Sequence, residues 1–464
     1  MARLEEYPHA FAAQTKRAFT WWRRRRARAR FLRRRLDFSP TSRPTLRPHQ
    51  HRRFLATAAA LALVLTIAAL LTESAQAQTY SVIYSFSGGQ GGATPMAGLT
   101  PNGANSFYGT ANYGGITGGP CGSSGCGMVY RLTNGSSGWT LTPLYNFMGG
   151  ADGQNPGTAS VVFGPDGGLY SSTFLGGGGC PGSGCGTVFK LWPSRGASPS
   201  TTWVETMLHR FTGVDGTGPV GAIIFDHLGN LDGATNAGGF QNGGVIFQLN
   251  ASSGFQEVVL FHPYGYPGSS VTMDHAGDLY GTTFDGGTNH FGSIFKLTPS
   301  GSGYRATDIY DFTNSGDGAY PKAGVILDQA GNLYGATSAG GSGRGGTIFK
   351  LTFSNGTWVY STLYSFAGPS NGRLISGPVG NLVTDSAGNL YGTTFSDGAY
   401  GCGAIFKLTP SNGSWTYTSL HDFTNGSDGG FPYSNLIIDA HGNLYGTASS
   451  GGTSGLGVAF AITQ

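Results

Sequence analysis

Residues 324–366 read GVILDQAGNLYGATSAGGSGRGGTIFKLTFSNGTWVYSTLYSF. Four runs of β-branched and aromatic residues stand in it: GVIL, NLYGAT, TIFKLT and WVYSTLYSF, separated by Gly, Asp, Asn and Ser. Four short strands in a unit of about 50–60 residues describe one blade of a β-propeller. The first two runs are joined by Asp328 to Asn332, where Gly331 supplies the positive φ that a tight hairpin needs.

Working outward, the same unit recurs seven times. The NLYG line centres on Tyr108, Tyr170, Asp232, Tyr280, Tyr334, Tyr391 and Tyr445, at spacings of 62, 62, 48, 54, 57 and 54. The IFKL line begins at Val129, Val188, Ile246, Ile294, Ile348 and Ile405, and is eroded at Ala459. A third line ends in an aromatic pair, such as Tyr145 with Phe147, His209 with Phe211 and His421 with Phe423; the register of Phe261 is open. Repetition at this period outweighs any local motif.

The repeat begins with a fourth-type strand, Tyr80 to Phe86, and ends at Ile462 with a third-type strand. Each supplies what the other lacks. The expected fold is therefore an all-β, seven-bladed propeller of four-stranded antiparallel blades, closed when the N-terminal strand completes the last blade and removes an exposed edge.

On these residues the chain resembles the GloVer-type choice-of-anchor tandem-repeat proteins, bacterial exported proteins with the signature D-x-x-G-N-L-Y-G-T-T…G-T-V-F-K-L-T-P. The copies at 274–299, 328–352 and 385–410 come nearest, and Asp232 for Tyr and Ser171 for Gly depart from it. The resemblance implies a fold and an exported address; it transfers no catalytic residues.

Composition agrees with a turn-rich β chain: 81 glycines in 464 residues, 12% aromatic and 11% charged. The formal charge of +4 conceals an asymmetry, because residues 1–53 carry 16 Lys and Arg against Glu5, Glu6 and Asp37. From Gln78 onward 11 basic residues face 19 acidic ones, so no nucleic-acid partner is expected for that part. The apolar run 55–71, with Arg52 and Arg53 before it and Ala75 and Ala77 after it, has the parts of a secretory signal. Three regions follow: 1–53, a basic extension that is disordered or precedes the true translation start; 54–77, a signal peptide or membrane anchor; and 78–464, the propeller. Membrane contact is expected only through 54–77, if it is uncleaved.

Export gives the cysteines their reading. Cys121 with Cys126 and Cys180 with Cys185 enclose matching glycine-rich loops, and in an oxidising compartment they are expected to form two local disulfides, with a C-x4-C metal site as the alternative. Cys402 has no partner in its loop and is expected to be a free thiol. Asp152, Asp215, Asp317 and Asp428 recur in an Asp-Gly step after the fourth strand. They are turn residues that repeat with the turn, or oxygen ligands for Ca²⁺ or a sugar. Phe240, His290, Phe291 and Tyr400 lie in loops of the same face, where exposed aromatics suit sugar stacking and packing on a neighbouring loop is the alternative.

No nucleophile elbow, phosphate loop or His-rich metal motif stands out, and His209, His262 and His421 fall in fourth strands where other copies have aromatics. The sequence thus favours an exported, non-enzymatic binding or scaffold propeller, expected to be a monomer without a cofactor. Its expected partner is a glycan or another extracytoplasmic protein. A carbohydrate-active hydrolase or lyase is the alternative, and a structural cell-envelope protein the third reading.

Overall fold

A computed structural model describes residues 78–463 apart from 104, 195–202, 302 and 369–375. The basic extension and the signal or anchor segment lie outside the described residues. Seven four-stranded antiparallel sheets follow one another, with a small pair, Gly153–Gln154 with Leu175–Gly176, beside the second. Blade 5 has Ile326–Leu327, Leu333–Thr337, Arg344–Ser354 and Thr357–Ala367 as its strands, the four runs read above. Among the described residues no helix is long and apolar enough to cross a membrane.

The closing blade is built from both ends of the repeat. Thr79–Ser85 pairs antiparallel with Val458–Thr463, in a register that sets Tyr80 opposite Ile462 and Tyr84 opposite Ala459. The expected closure is therefore present, and it removes the free edge of the last blade.

The repeated lines have separate physical tasks. In the Asp-x-x-Gly-Asn turn, Asp328 Oδ1 accepts the backbone N–H groups of Ala330 and Asn332, both at 2.9 Å. Its Oδ2 accepts the Asn332 amide at 2.7 Å and the Tyr334 hydroxyl at 3.2 Å. Burial opposes the charge, but these donors hold the Asp328 carboxyl below its ordinary range. In blade 3, where Asp232 replaces the tyrosine, Gln248 spans the gap by donating to both Asp232, at 2.9 Å, and the turn residue Asp226, at 3.3 Å. The glycine of the NLYG line lets the third-strand aromatic lie flat across it: a Cβ at Gly281 would stand 2.4 Å from the Phe295 ring.

The aromatic pair at the end of each fourth strand fastens blade to blade. Phe86, Phe147, Phe211, Phe312, Phe366 and Phe423 are almost wholly buried. Each meets the third-strand ring of the next blade edge-on, as in Phe147 with Phe189 at 5.1 Å and Phe423 with Phe460 at 5.5 Å. Fully burying such a side chain contributes about 1.5–3 kcal/mol. The closing blade is joined to blade 1 in the same way, by Phe86 against Tyr130 at 5.4 Å. Seven apolar clusters result, each shared by two adjacent blades.

Blade 3 shows the one irregular end. Phe261 pairs with Ile246, the place filled by Tyr310 opposite Ile294 in blade 4. Pro263 then takes the buried position of the missing phenylalanine. The fourth strand stops at Phe261, so His262 lies beyond it and not within it as expected. A proline cannot donate the N–H that Phe211 gives to Gly186 in blade 2, at 3.1 Å.

Candidate functional site

A proline precedes or opens the innermost strand of each blade, Pro156, Pro219, Pro321 and Pro432 among them. The glycine just before the third strand of the preceding blade makes room for it: a Cβ at Gly292 or Gly403 would lie 2.4 Å from the Cδ of Pro321 or Pro432. After its proline the chain turns toward the ring axis. The residues there enclose a cavity of about 490 Å³ to which all seven blades contribute.

Its walls are mostly apolar or carry small hydroxyls and amides. Phe174, Tyr266, Phe284 and Tyr433 supply rings, and Ser160, Ser269, Asn236 and Asn435 supply polar groups. Lys322 is the one charged residue among the described lining, and no Asp or Glu accompanies it. Its Nζ lies 5.5 Å from the centre of the Phe284 ring and 5.7 Å from that of Tyr433, and donates to the Tyr433 hydroxyl at 3.4 Å. Aromatic faces and one phenol oxygen leave its charge without a carboxylate partner among the described residues.

The four recurring aspartates do not converge on this cavity. Each caps its own turn. Asp152 accepts the Met148 N–H at 2.8 Å and the Tyr145 hydroxyl at 3.3 Å. Asp317 accepts the Thr313 N–H at 2.8 Å and the Tyr310 hydroxyl at 3.0 Å. Asp215 and Asp428 hold the same posts with His209 and His421, both at 3.1 Å. Burial works against these last two ions, yet hydrogen bonds from the histidines and from Thr212 or Thr424 keep both carboxyls below the ordinary range. Turn chemistry accounts for the repeat of the aspartates.

Of the loop aromatics, Phe240 and His290 come together. They line a surface depression of about 410 Å³ with His262, Tyr264 and Tyr266. Phe291 packs on Tyr320 of the neighbouring loop, ring centres 5.8 Å apart, and Tyr400 stands exposed. Both expected disulfides are formed, Cys121 with Cys126 and Cys180 with Cys185, and Cys402 is free. Two such bonds indicate an oxidising, extracytoplasmic environment.

The channel wall was not singled out from the sequence. The residues that follow the prolines vary from copy to copy, Met96, Val220, Lys322, Val379 and Tyr433 among them, so no line of identity marks them. The prolines themselves are the signal: within four residues after each, at least one residue lines the cavity.

A family model described as Gloeobacter/Verrucomicrobia repeat matches residues 69–266, 118–329 and 266–464. No curated protein matches the chain. Among solved structures, a candidate 6-phosphogluconolactonase from Bacteroides uniformis is 14% identical, with a TM-score of 0.45 over 72% of this chain and 92% of that one. A candidate gluconolactonase is 13% identical, with a TM-score of 0.35 over 60% of this chain and 84% of that one. TolB from Acinetobacter baumannii is 11% identical, with a TM-score of 0.41 over 69% and 65% of the two chains.

Proposed function

Since the chain belongs to the Gloeobacter/Verrucomicrobia repeat family, a propeller scaffold on which sites vary independently of the fold, we propose that it is an exported, non-enzymatic binding protein that takes an acidic saccharide in the channel cavity. Lys322 carries this reading, as the single charged side chain of the described lining, set between Phe284 and Tyr433. A sugar carboxylate would find there a cation with no competing acid. The rings offer faces for the sugar's C–H surface, and Ser160, Ser269 and Asn236 offer partners for its hydroxyls. A volume of about 490 Å³ suits a ligand of one or two sugar units. Catalysis by paired carboxylates has no support in a described lining without Asp or Glu. The two disulfides support the exported address.

Calorimetric titration with short galacturonic acid oligosaccharides, set against their neutral methyl esters, tests the reading. The acids are expected to bind, the esters to bind at least about tenfold more weakly, and Lys322→Met to remove that preference. Equal binding of acids and esters, binding unaffected by Lys322→Met, or the appearance of cleaved products would sink it.

A further inference from the structure

The channel leaves one cluster of side chains unexplained, at the junction of blades 2 and 3. In three junctions a tyrosine of the fourth strand covers the aromatic of the preceding blade. Tyr360 stacks on Tyr310 at 4.3 Å, Tyr417 on Tyr364 at 4.8 Å, and Tyr80 on His421 at 3.7 Å. Blade 3 has Glu257 in that slot, opposite Leu249 as Tyr360 is opposite Leu351. The His209 imidazole therefore faces two carboxylates, its Nε2 lying 3.1 Å from Asp215 Oδ2 and 3.5 Å from Glu257 Oε2. One nitrogen carries one proton, and at these distances it serves Asp215 before Glu257. The Glu257 side chain is only 9% exposed, and its Oε1 has no hydrogen-bond partner among the described residues. A carboxylate so buried is costly unless it is neutralised, paired or bound to a metal.

We propose that His209, Asp215 and Glu257 bind a divalent first-row metal ion, Zn²⁺ by preference, with one coordination position open to water. One imidazole nitrogen and two carboxylate oxygens are a ligand set that Zn²⁺ accepts. Ligand atoms about 2.0–2.2 Å from a tetrahedral ion stand roughly 3.3–3.6 Å from one another. The three donor atoms here all lie within 4.8 Å of each other. Small side-chain shifts would close the set. Side-chain exposures of 17% for His209 and 20% for Asp215 leave an approach from solvent. Asp215 is pre-positioned: its Oδ1 accepts the Thr212 N–H at 2.7 Å and the Thr212 hydroxyl at 2.9 Å. A cation between Asp215 and Glu257 would offset the repulsion between their two carboxylates.

The ring contains its own controls. The junction of blades 6 and 7 repeats the histidine and aspartate, His421 and Asp428 at 3.1 Å, but Tyr80 occupies the third post. The junction of blades 1 and 2 has Asp152 near Glu205, with Tyr145 in place of the histidine. Neither offers the three donors together. A bound ion would join blade 2 and the turn leaving it to blade 3.

The test is calorimetric titration of Zn²⁺ into the full chain stripped with a chelator, run beside Glu257→Tyr and Glu257→Gln. The first variant installs the residue that three other junctions carry, and the second keeps the shape of the side chain. Wild type is expected to take up one equivalent more than either variant, or to bind that equivalent at least about tenfold more tightly. Co²⁺ is expected to give a visible absorption band in wild type that both variants lack. Uptake by His9, His49, His51 or Cys402 would be common to all three proteins and cancels in the difference. Equal zinc uptake and an equal cobalt spectrum in wild type and in a folded variant overturn the proposal. Should Glu257→Tyr fail to fold, Glu257→Gln decides alone.

Discussion

The junctions that lead into blades 5, 6 and 7 and those that lead into blades 2 and 3 use one slot in opposite ways. In the first group the slot holds Tyr360, Tyr417 and Tyr80, each stacked on the ring before it. The second group holds Glu205 and Glu257, each with one buried carboxyl oxygen that finds no partner among the described residues. Their backbones pair alike: Glu205 faces Leu191 and Glu257 faces Leu249, as Tyr417 faces Leu408. The scaffold is thus indifferent to a change that costs side-chain stability. In a repeat protein the other copies state what packing alone would choose, and a copy that departs at a cost marks where another demand acts.

Moving the difference from one group to the other gives the largest expected effect. Tyr80→Glu removes the stack on His421 and the hydroxyl bond to the Asp428 carbonyl, at 2.5 Å, and sets a second carboxylate near Asp428. It does so in the strand that closes the ring. A loss of about 3–5 kcal/mol is expected in urea unfolding with a chelator present, accompanied by aggregation through the opened edge. If the two histidine junctions are equivalent, zinc recovers part of that loss. An identical loss with and without zinc breaks the equivalence.

The same contrast explains what could be read from the chain in advance. Blade number, closure and both disulfides were legible because each is written several times or in complementary halves, as with Tyr80 to Phe86 and Ala459 to Ile462. The turn role of Asp152, Asp215, Asp317 and Asp428 is one of the two readings that a repeated Asp-Gly step allows. The carboxylate junctions were not seen, because His209 passes as one more member of an aromatic line. Glu257 sits four residues ahead of Phe261, a slot visible only when Tyr80, Tyr360 and Tyr417 are aligned with it. Lys322 escaped for the opposite reason: side chains facing the axis meet across the ring, and no periodicity along the chain requires them to match.

A smaller and opposite effect is expected from Glu205→Tyr, which converts a carboxylate junction to the tyrosine kind. Burial, and then the Asp152 charge, raise the Glu205 carboxyl to about 7, with Arg210 opposing. A folded pKa above the unfolded value means that the folded chain holds this proton more tightly. The resulting stabilisation is complete below the unfolded value of about 4.5 and is lost as pH rises through about 7. Wild type should therefore weaken across this window by more than Glu205→Tyr does. The variant is expected to gain about 1–2 kcal/mol over wild type at pH 8, after allowance for solvent screening, and far less at pH 4.5. Thermal melts at the two pH values, with chelator present, measure the difference; a gain independent of pH would assign the effect to packing.

The smallest change asks which part of the tyrosine the junction uses. Tyr360 donates its hydroxyl to the Asp317 carbonyl at 2.6 Å, while its ring lies 4.3 Å from Tyr310 and 5.6 Å from Phe349. Tyr360→Phe keeps both ring contacts and deletes only the donor. The carbonyl it abandons still accepts the Thr347 hydroxyl at 3.1 Å, so no buried acceptor is left bare. The expected cost is about 0.5–1 kcal/mol, the low side of a buried hydrogen bond, read as a small fall in the urea midpoint at unchanged slope. A loss of 3 kcal/mol or more would move the weight of the junction from ring to hydroxyl. The glutamates of blades 2 and 3 would then stand in for a polar group and not for a missing ring, and the cost attributed to them would fall accordingly.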